Sequence, residues 1–243
     1  ITNNTKAILA VHLYGQSCDM NKICKIAKEH NLKVVEDCAQ AHGTTWNDRK
    51  VGTFGDVGCF SFFPTKTLGA FGDGGMAITN SDFLADRMLA LRNHGGAVRY
   101  YHDEIGVNSR LDEVQAAILD VKLPYLEADN ERRRQIAKYY RENIKNPKII
   151  LPQTYDENAH VWHVFAIRTE NRDDLCKYLN EHDIQTNIHY PTPPHKQGAY
   201  GEWNSRSYPI TEEIHRTIMS IPMSPVMTEE EVKKVVEVIN DWK

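Results

Sequence analysis

Apolar positions change their period several times along the chain, and each change predicts a new element. Residues 7–11 form a short apolar run typical of a buried strand. A helix capped by Asp19 follows it and is expected to bury Ile23, Ile26 and Ala27. Val34 and Val35 are apolar again, and residues 33–36 predict the next strand. A strand, a helix and a strand at this spacing indicate a βαβ unit with parallel strands.

The same pattern continues to about residue 144. Residues 57–63 and 76–79 are strand candidates, and Ser81 can cap the helix that follows them. A helical period begins again near residue 111, is broken or kinked at Pro124, and continues as a polar, charged helix.

A boundary is expected at Asn146-Pro147. Beyond it the pattern predicts a strand, a helix, a second strand and a last helix opened by the capping box Thr228 to Glu231; the first three lie at residues 161–169, 172–182 and 185–189. The chain is therefore expected to consist of a large α/β domain, residues 1–145, and a smaller α+β domain, residues 146–243.

Composition narrows the class of protein. The 243 residues are 41% hydrophobic and 26% charged, which is ordinary for a globular chain, and the net charge of -4 speaks against a nucleic-acid partner. No apolar run is long enough to span a membrane. The five cysteines are scattered without a C-x-x-C pair, which predicts neither a disulfide framework nor a metal site and favours the cytoplasm.

Ligands in open α/β sheets bind where the strands end, and two strand ends carry notable residues. After Val34-Val35 comes "EDCAQAHG", in which Asp37 closes a strand expected to be buried. A buried carboxylate needs a cationic or hydrogen-bonding partner, although a helix cap or loop anchor would explain Asp37 equally well. Gln40 lies three residues further on and is unremarkable by itself.

The second strand end carries Lys66, in "SFFPTKTLG". Most lysines are solvated surface charges. Here aromatic residues precede the lysine and Pro64 and Gly69 shape its loop, so partial burial would favour the neutral, nucleophilic amine. A reactive lysine near a buried aspartate suggests a pyridoxal phosphate site, in which the lysine forms a Schiff base and the aspartate pairs with the ring nitrogen.

Three segments, "VVEDCAQAHG", "VGTFGDVGCFSFFPTKTLGAFGDGGMAITN" and "GVNSRLDEVQAAIL", stand in one order along the chain. Together they resemble the DegT/DnrJ/EryC1/StrS family of pyridoxal phosphate-dependent nucleotide-sugar aminotransferases. The resemblance implies an α/β fold of the aspartate-aminotransferase type (fold type I), with a mainly parallel sheet, helices on both of its faces and a smaller α+β C-terminal domain.

The resemblance also implies roles for individual residues. Lys66 would form the Schiff base and shuttle the proton, and Asp37 would pair with the pyridine nitrogen. Gln40 would lie beside the cofactor ring, and Ser61 would bond its phosphate. Asn108 would reach the phosphate of the other subunit's cofactor, which implies a homodimer with shared active sites.

The implied reaction moves an amino group from glutamate to a keto-sugar nucleotide, as in the biosynthesis of deoxyamino sugars and surface polysaccharides. The loop "NIHYPTPPHKQGAY" supplies His189, Tyr190 and His195, which are candidate substrate-binding residues or simply exposed positions of a connector. Family members with this loop, and with a proline two residues before the lysine, resemble the branch that aminates C3 of dTDP-3-keto-6-deoxyhexoses.

Other interpretations stay open at this stage: a C4 aminotransferase, or a non-catalytic or regulatory protein on the same scaffold. The related dehydratases carry histidine in place of Lys66, and "GAFGDGG" does not match a dinucleotide-binding turn. Family members have a further segment before residues 7–11, with a phosphate-binding turn and a stacking aromatic residue. We therefore expect residues 1–145 to be the C-terminal portion of the cofactor-binding domain, with an incomplete pocket.

Overall fold

The computed structural model describes residues 1–243 and contains eight strands and seven α-helices. The strands are β1 (Ala7–Val11), β2 (Lys33–Asp37), β3 (Thr45–Trp46), β4 (Arg49–Lys50), β5 (Val57–Ser61), β6 (Gly75–Ile78), β7 (Phe165–Arg168) and β8 (Ile218–Ile221). The helices are α1 (Met20–Glu29), α2 (Asp82–Arg92), α3 (Glu113–Lys122), α4 (Leu126–Asn143), α5 (Arg172–Glu181), α6 (Pro209–Thr217) and α7 (Glu229–Asp241). None of these helices combines the length and apolar character that a membrane span requires.

The chain forms two compact units, residues 1–131 with 156–163 and residues 132–155 with 164–243. Most of α4 thus belongs to the second unit, although the sequence analysis assigned its residues to the first domain. Arg132 and Arg133 donate hydrogen bonds to the carbonyl groups of Met227 and Met223, and these contacts hold α4 there. The division into functional domains after residue 145 stays a prediction.

The first unit contains a four-stranded sheet in the order β1-β2-β5-β6. The first three strands are parallel, as the βαβ pattern predicts, and β6 runs antiparallel to β5. The register places Val11 beside Asp37 and Asp37 beside Cys59, so that β1, β2 and β5 end at the same edge.

One face of this sheet is covered by α1. Asp19 caps the helix by accepting a hydrogen bond from the Lys22 amide at 3.1 Å, as predicted. The buried cluster consists of Ala10, Met20, Ala27 and Val34. The expectation that Ile26 is buried is wrong, because it lies on the helix surface one residue away from that stripe and is 39% exposed.

The helix predicted after Ser81 and the helical period predicted from about residue 111 are both confirmed. The side chain of Ser81 accepts a hydrogen bond from Leu84 at the start of α2. Pro124 lies in a short 3₁₀ turn that separates α3 from α4, because proline cannot donate the backbone hydrogen bond that a continuous helix needs.

The second unit pairs β7 with β8 in an antiparallel ribbon. Helix α7 begins with the predicted capping box and buries the predicted stripe of Val232, Val235, Val236 and Ile239. The first predicted strand there is too long, because Trp162 has a left-handed backbone with φ of 50°.

The predicted strand at residues 185–189 is wrong. This segment makes only one isolated bridge, in which Asn187 and Ser220 exchange backbone hydrogen bonds. The side chain of Asn187 accepts a hydrogen bond from the Ile188 amide at 2.8 Å, and such local bonding competes with a strand ladder.

Candidate active site

The carboxyl edge of the four-stranded sheet brings predicted site residues together. Asp37 and Ser61 are the last residues of β2 and β5. Because side chains alternate along a strand and Asp37 is the register partner of Cys59, Asp37 and Ser61 point to the same face of the sheet. That face is opposite to the one covered by α1.

Asp37 is half-buried and keeps part of its bonding capacity. Its Oδ1 atom accepts a hydrogen bond from the Ala39 amide at 3.0 Å, whereas Oδ2 makes no hydrogen bond within the chain. No helix begins at this position, so Asp37 is not a helix cap. One of its oxygens anchors the loop, and the other can accept a hydrogen bond from an N–H group of a ligand.

Gln40 connects two strand ends. Its Oε1 atom accepts a hydrogen bond from the Tyr14 amide at 2.6 Å, which ties the loop after β1 to the loop after β2. Tyr14 and Gly15 both have a left-handed backbone, with φ of 59° and 98°. A Cβ atom on Gly15 would lie only 2.7 Å from Val161, so this tight turn requires glycine.

Lys66 lies in a constrained turn after β5. Its amide donates to the Phe63 carbonyl at 2.9 Å, and its side chain is half-buried. Gly69 closes the turn, and a Cβ atom there would come within 2.4 Å of the Pro64 carbonyl oxygen. The proline and glycine that drew attention in the sequence therefore fix the backbone on both sides of the lysine.

Helix α3 holds the same loop from outside. The Oε1 atom of Gln115 accepts a hydrogen bond from the Phe71 amide at 2.8 Å, and the Lys122 ammonium group donates to the Gly69 carbonyl. The segment after Lys66 is thus fixed to a helix from the third of the quoted sequence segments.

His42 is a neighbour of the site that the sequence pattern did not predict. Its ring is buried, its Nδ1 atom lies 3.1 Å from the Thr67 hydroxyl, and it packs against Phe60 and Phe62. Burial and then the charge of Lys66 lower the pKa of His42 to about 4, although the Ser61 backbone acts in the opposite direction. The only available signal was its place in the quoted "EDCAQAHG" segment.

The buried carboxylate of Glu36, on the face of the sheet covered by α1, stabilises the fold. The Glu36 carboxylate accepts hydrogen bonds from His12 and from the amides of Gly52, Phe54 and Gly55, at 3.1, 2.7, 2.7 and 2.7 Å. Burial alone raises the pKa of the Glu36 carboxyl, but these donors outweigh it and leave the pKa below its ordinary value.

Cys38 completes a buried group of metal-ligand types with Glu36 and His12, all within 4.8 Å. The His12 Nδ1 atom accepts the Cys18 amide hydrogen bond, so Nε2 carries the proton that points to Glu36. With both imidazole nitrogens and the carboxylate engaged, we assign this group a role in packing and loop anchoring. His12 is accordingly not given a catalytic role.

The remaining predicted residues are described within their own units. Asn108 is exposed, and its side-chain oxygen accepts a hydrogen bond from Arg110 at 3.1 Å. In the second unit, His189 contacts the Ser220 hydroxyl at 2.9 Å. His195 is buried and its Nε2 atom lies 2.8 Å from Glu212. Tyr190 is 45% exposed. The ligand-binding roles of these residues stay predictions.

The groups at the sheet edge fit pyridoxal phosphate. Lys66 supplies an amine for the aldehyde, Asp37 supplies a carboxylate oxygen for the protonated ring nitrogen, and the Ser61 hydroxyl can donate to phosphate. The Ser61 oxygen accepts the Phe63 amide at 3.3 Å, which leaves its own proton for a ligand.

Comparison with known proteins gives this edge its context. The model of the DegT/DnrJ/EryC1/StrS aminotransferase family matches residues 1–240. A dTDP-3-amino-3,6-dideoxy-alpha-D-galactopyranose transaminase of Aneurinibacillus thermoaerophilus is 58% identical over 100% of this chain and 67% of its own length. A UDP-N-acetyl-3-dehydro-alpha-D-glucosamine 3-aminotransferase of Acidithiobacillus ferrooxidans is 44% identical over 98% of this chain and 65% of its own.

Solved structures with a closely similar fold include other aminotransferase-family proteins. DesV of S. venezuelae, in complex with a ketimine intermediate, has a TM-score of 0.96 at 41% identity, covering 100% of this chain and 66% of its own. NtdA of Bacillus subtilis, with bound PMP cofactor, has a TM-score of 0.90 at 34% identity, covering 98% of this chain and 57% of its own.

The chain therefore spans about two thirds of the length of the curated relatives described here. The predicted fold class is confirmed, since the structural neighbours are sugar aminotransferases of the aspartate-aminotransferase type and the sheet is mixed but mainly parallel. On the match of nearly its whole length, the chain belongs to the DegT/DnrJ/EryC1/StrS aminotransferase family.

Proposed function

We propose that this protein transfers an amino group from glutamate to a keto-sugar nucleotide with pyridoxal phosphate as cofactor. The observation that carries the proposal is the pairing of two strand ends. A lysine fixed in a rigid turn follows β5, and a carboxylate with an unengaged oxygen closes the neighbouring β2. The chain belongs to an aminotransferase family, and this supports assigning the lysine and the carboxylate to a cofactor site.

Each residue then has a task. Lys66 holds the cofactor through its amine and, once the donor has taken its place, moves a proton at the donor α-carbon. Asp37 keeps the ring nitrogen protonated with its free oxygen, and Ser61 binds phosphate. The bound cofactor supplies an electron-accepting ring. Gln40 fixes the ring from the side, since its own position is set by the Tyr14 amide.

For the acceptor, we propose C3 of a dTDP-3-keto-6-deoxyhexose. Both relatives described above act at C3 according to their names, although one uses a dTDP-sugar and the other a UDP-sugar. The higher identity lies with the dTDP-sugar enzyme. Because both names give position 3 but differ in nucleotide and sugar, these relatives support C3 more strongly than they support a particular nucleotide or hexose.

We also propose a homodimer in which Asn108 serves the partner subunit's cofactor. Asn108 is exposed and belongs to a segment rich in exposed apolar side chains, which suits an interface; these include Val98, Tyr100, Tyr101, Ile105 and Val107. His189, Tyr190 and His195 are proposed to contact the sugar nucleotide.

The test is to supply the full-length protein with pyridoxal phosphate, glutamate and either 3-keto or 4-keto sugar nucleotides, and to identify the amino sugar by mass spectrometry. Amination of the 3-keto sugar is expected. Lys66→Ala should lower the rate by several orders of magnitude because the covalent and proton-transfer roles are both lost. Lys25→Ala, at a lysine whose side chain is 76% exposed, is the matched control.

Three results would change the proposal. Amination of only the 4-keto sugar would move the reaction to C4. Turnover by the Lys66→Ala variant would remove the central claim. A protein that binds sugar nucleotide without turnover, and that has no cofactor attached to Lys66, would favour a regulatory role.

A further inference from the structure

His42 joins the two loops that carry the proposed site residues. It lies in the loop after β2, five residues beyond Asp37 and two beyond Gln40. Its Nδ1 atom is 3.1 Å from the hydroxyl of Thr67, which is the neighbour of Lys66 in the chain. A single side-chain contact thus connects the aspartate loop to the lysine turn.

The backbone of His42 is held independently of its ring. The Asn130 side chain donates a hydrogen bond to the His42 carbonyl at 2.9 Å. Gly43 has φ of 86°, and a Cβ atom there would lie 2.7 Å from the same Asn130 amide. Changing the ring should therefore leave the path of this loop intact.

The ring is also placed to stay neutral. It is 3% exposed, it packs between Phe60 and Phe62 at centroid distances of 5.5 and 5.8 Å, and Lys66 is the charged group that acts on it. A neutral imidazole retains a lone pair for the Thr67 hydroxyl, which a protonated ring would lack at both nitrogens.

Nε2 is buried and has no partner that meets hydrogen-bond geometry, although the Ser61 backbone is near enough to affect the pKa of the ring. A phenylalanine would fill the same space without this polar cost. An imidazole at this position is therefore better explained by its Nδ1 contact than by packing alone.

We propose that His42 is a positioning residue that acts through Thr67 and sets the direction of the Lys66 side chain towards Asp37. This inference rests on the proposed role of Lys66 in binding pyridoxal phosphate. It adds a contact between the aspartate loop and the lysine turn, in which neither His42 nor Thr67 touches the reacting atoms.

The experiment measures how fast the full-length apoprotein captures pyridoxal phosphate. The visible absorption band of the bound cofactor gives the rate, and borohydride reduction followed by peptide mapping confirms attachment at Lys66. Thr67→Val keeps the shape of threonine but removes the hydroxyl, and His42→Phe keeps a ring but removes Nδ1. Each is expected to slow capture about tenfold, because a small misplacement of a reacting group is costly.

Conservative variants separate positioning from packing. Thr67→Ser keeps the hydroxyl and His42→Asn keeps a polar atom near the position of Nδ1, so both should capture the cofactor at close to the wild-type rate. The double variant Thr67→Val with His42→Phe should be no slower than either single one, because both remove the same contact. Thr65→Val, in the same turn, is the control, since the exposed Thr65 makes no side-chain hydrogen bond within the chain.

The outcomes distinguish this inference from the function on which it rests. If the wild-type protein is labelled at Lys66 and the Thr67→Val variant captures the cofactor equally fast, the positioning role is wrong and the proposed function stands. If His42→Phe captures the cofactor at close to the wild-type rate while His42→Asn is slow, ring packing explains the effect and the inference is also wrong. If the wild-type protein is never labelled at Lys66, both fail together.

Discussion

The two faces of the four-stranded sheet differ in how far their polar groups are already bonded within the chain. On the face covered by α1, the carboxylate of Glu36 is fully buried and accepts four hydrogen bonds. On the opposite face, the carboxylate of Asp37 is half-buried and accepts one, while Leu9 and Val11 are 64% and 42% exposed.

These two carboxylates are neighbours in the sequence, so their different environments come from strand alternation alone. Side chains of consecutive strand residues point to opposite faces. The difference teaches that a polar residue at a strand end is informative about function only when its bonding capacity is not already used. Glu36 serves the loop at Gly52–Gly55, whereas Asp37 remains able to bind a ligand.

Among the variants that test this comparison, Glu36→Gln is expected to cause the largest loss of stability. Glutamine has one acceptor oxygen instead of two, so its NH2 group would face N–H donors, and either the Phe54 and Gly55 amides or His12 and the Gly52 amide would lose their acceptor. We expect a loss of about 4 kcal/mol in the free energy of unfolding. Urea unfolding at neutral pH measures it.

Glu29→Gln is the matched control, because the Glu29 side chain is 56% exposed and its nearest lysine nitrogen is 3.9 Å away. A change below about 0.5 kcal/mol is expected there. A Glu36→Gln variant as stable as this control would show that the buried carboxylate is dispensable.

The sequence predicted the frame of this arrangement better than its details. The apolar pattern placed β1 and β2 by their short apolar runs, and α1 and α7 by an apolar stripe and a side-chain cap at the start of each helix. It failed at residues 185–189, where the Asn187 side chain bonds its own neighbour instead of supporting a ladder. Such local competition leaves no mark in the apolar pattern.

The site was predicted less completely, for a related reason. Asp37 and Lys66 stand out because a strand end and a Pro/Gly turn surround them. The importance of Glu36, His42 and Thr67 depends on partners 16 to 25 residues away, at Gly52 and across the His42–Thr67 contact. Spacing along one sequence does not show which loops meet, so these contacts required the three-dimensional structure.

A smaller change in the free energy of unfolding is expected when the pH is lowered, and it comes from His42. His42 is buried like Glu36, but its Nδ1 atom contacts the turn of Lys66. Its pKa is about 4 in the folded protein and near 6.5 when unfolded, so the unfolded chain binds more protons between these values. Stability should therefore fall as pH decreases through this window, by up to about 3 kcal/mol.

The measurement compares urea unfolding of the wild-type protein and the His42→Asn variant from pH 7 to pH 4.5. Asparagine does not titrate, so the difference between the two curves isolates His42 from the carboxylates, including Glu36 and Asp56, whose lowered pKa values affect both proteins alike. Parallel curves would mean that His42 is not held neutral in the folded state.

The smallest effect on stability, and the sharpest contrast with Glu36, is expected from Asp37→Asn. The asparagine oxygen can still accept the Ala39 amide, and the atom that replaces Oδ2 meets no partner within the chain. The free energy of unfolding of the cofactor-free protein should change by less than about 0.5 kcal/mol in urea. Binding of pyridoxal phosphate should weaken in the same variant, because a neutral amide no longer stabilises a protonated ring nitrogen. A stability loss comparable to that of Glu36→Gln would show that Asp37 holds the fold rather than a ligand, and that the two faces of the sheet do not differ in the way their bonding suggests.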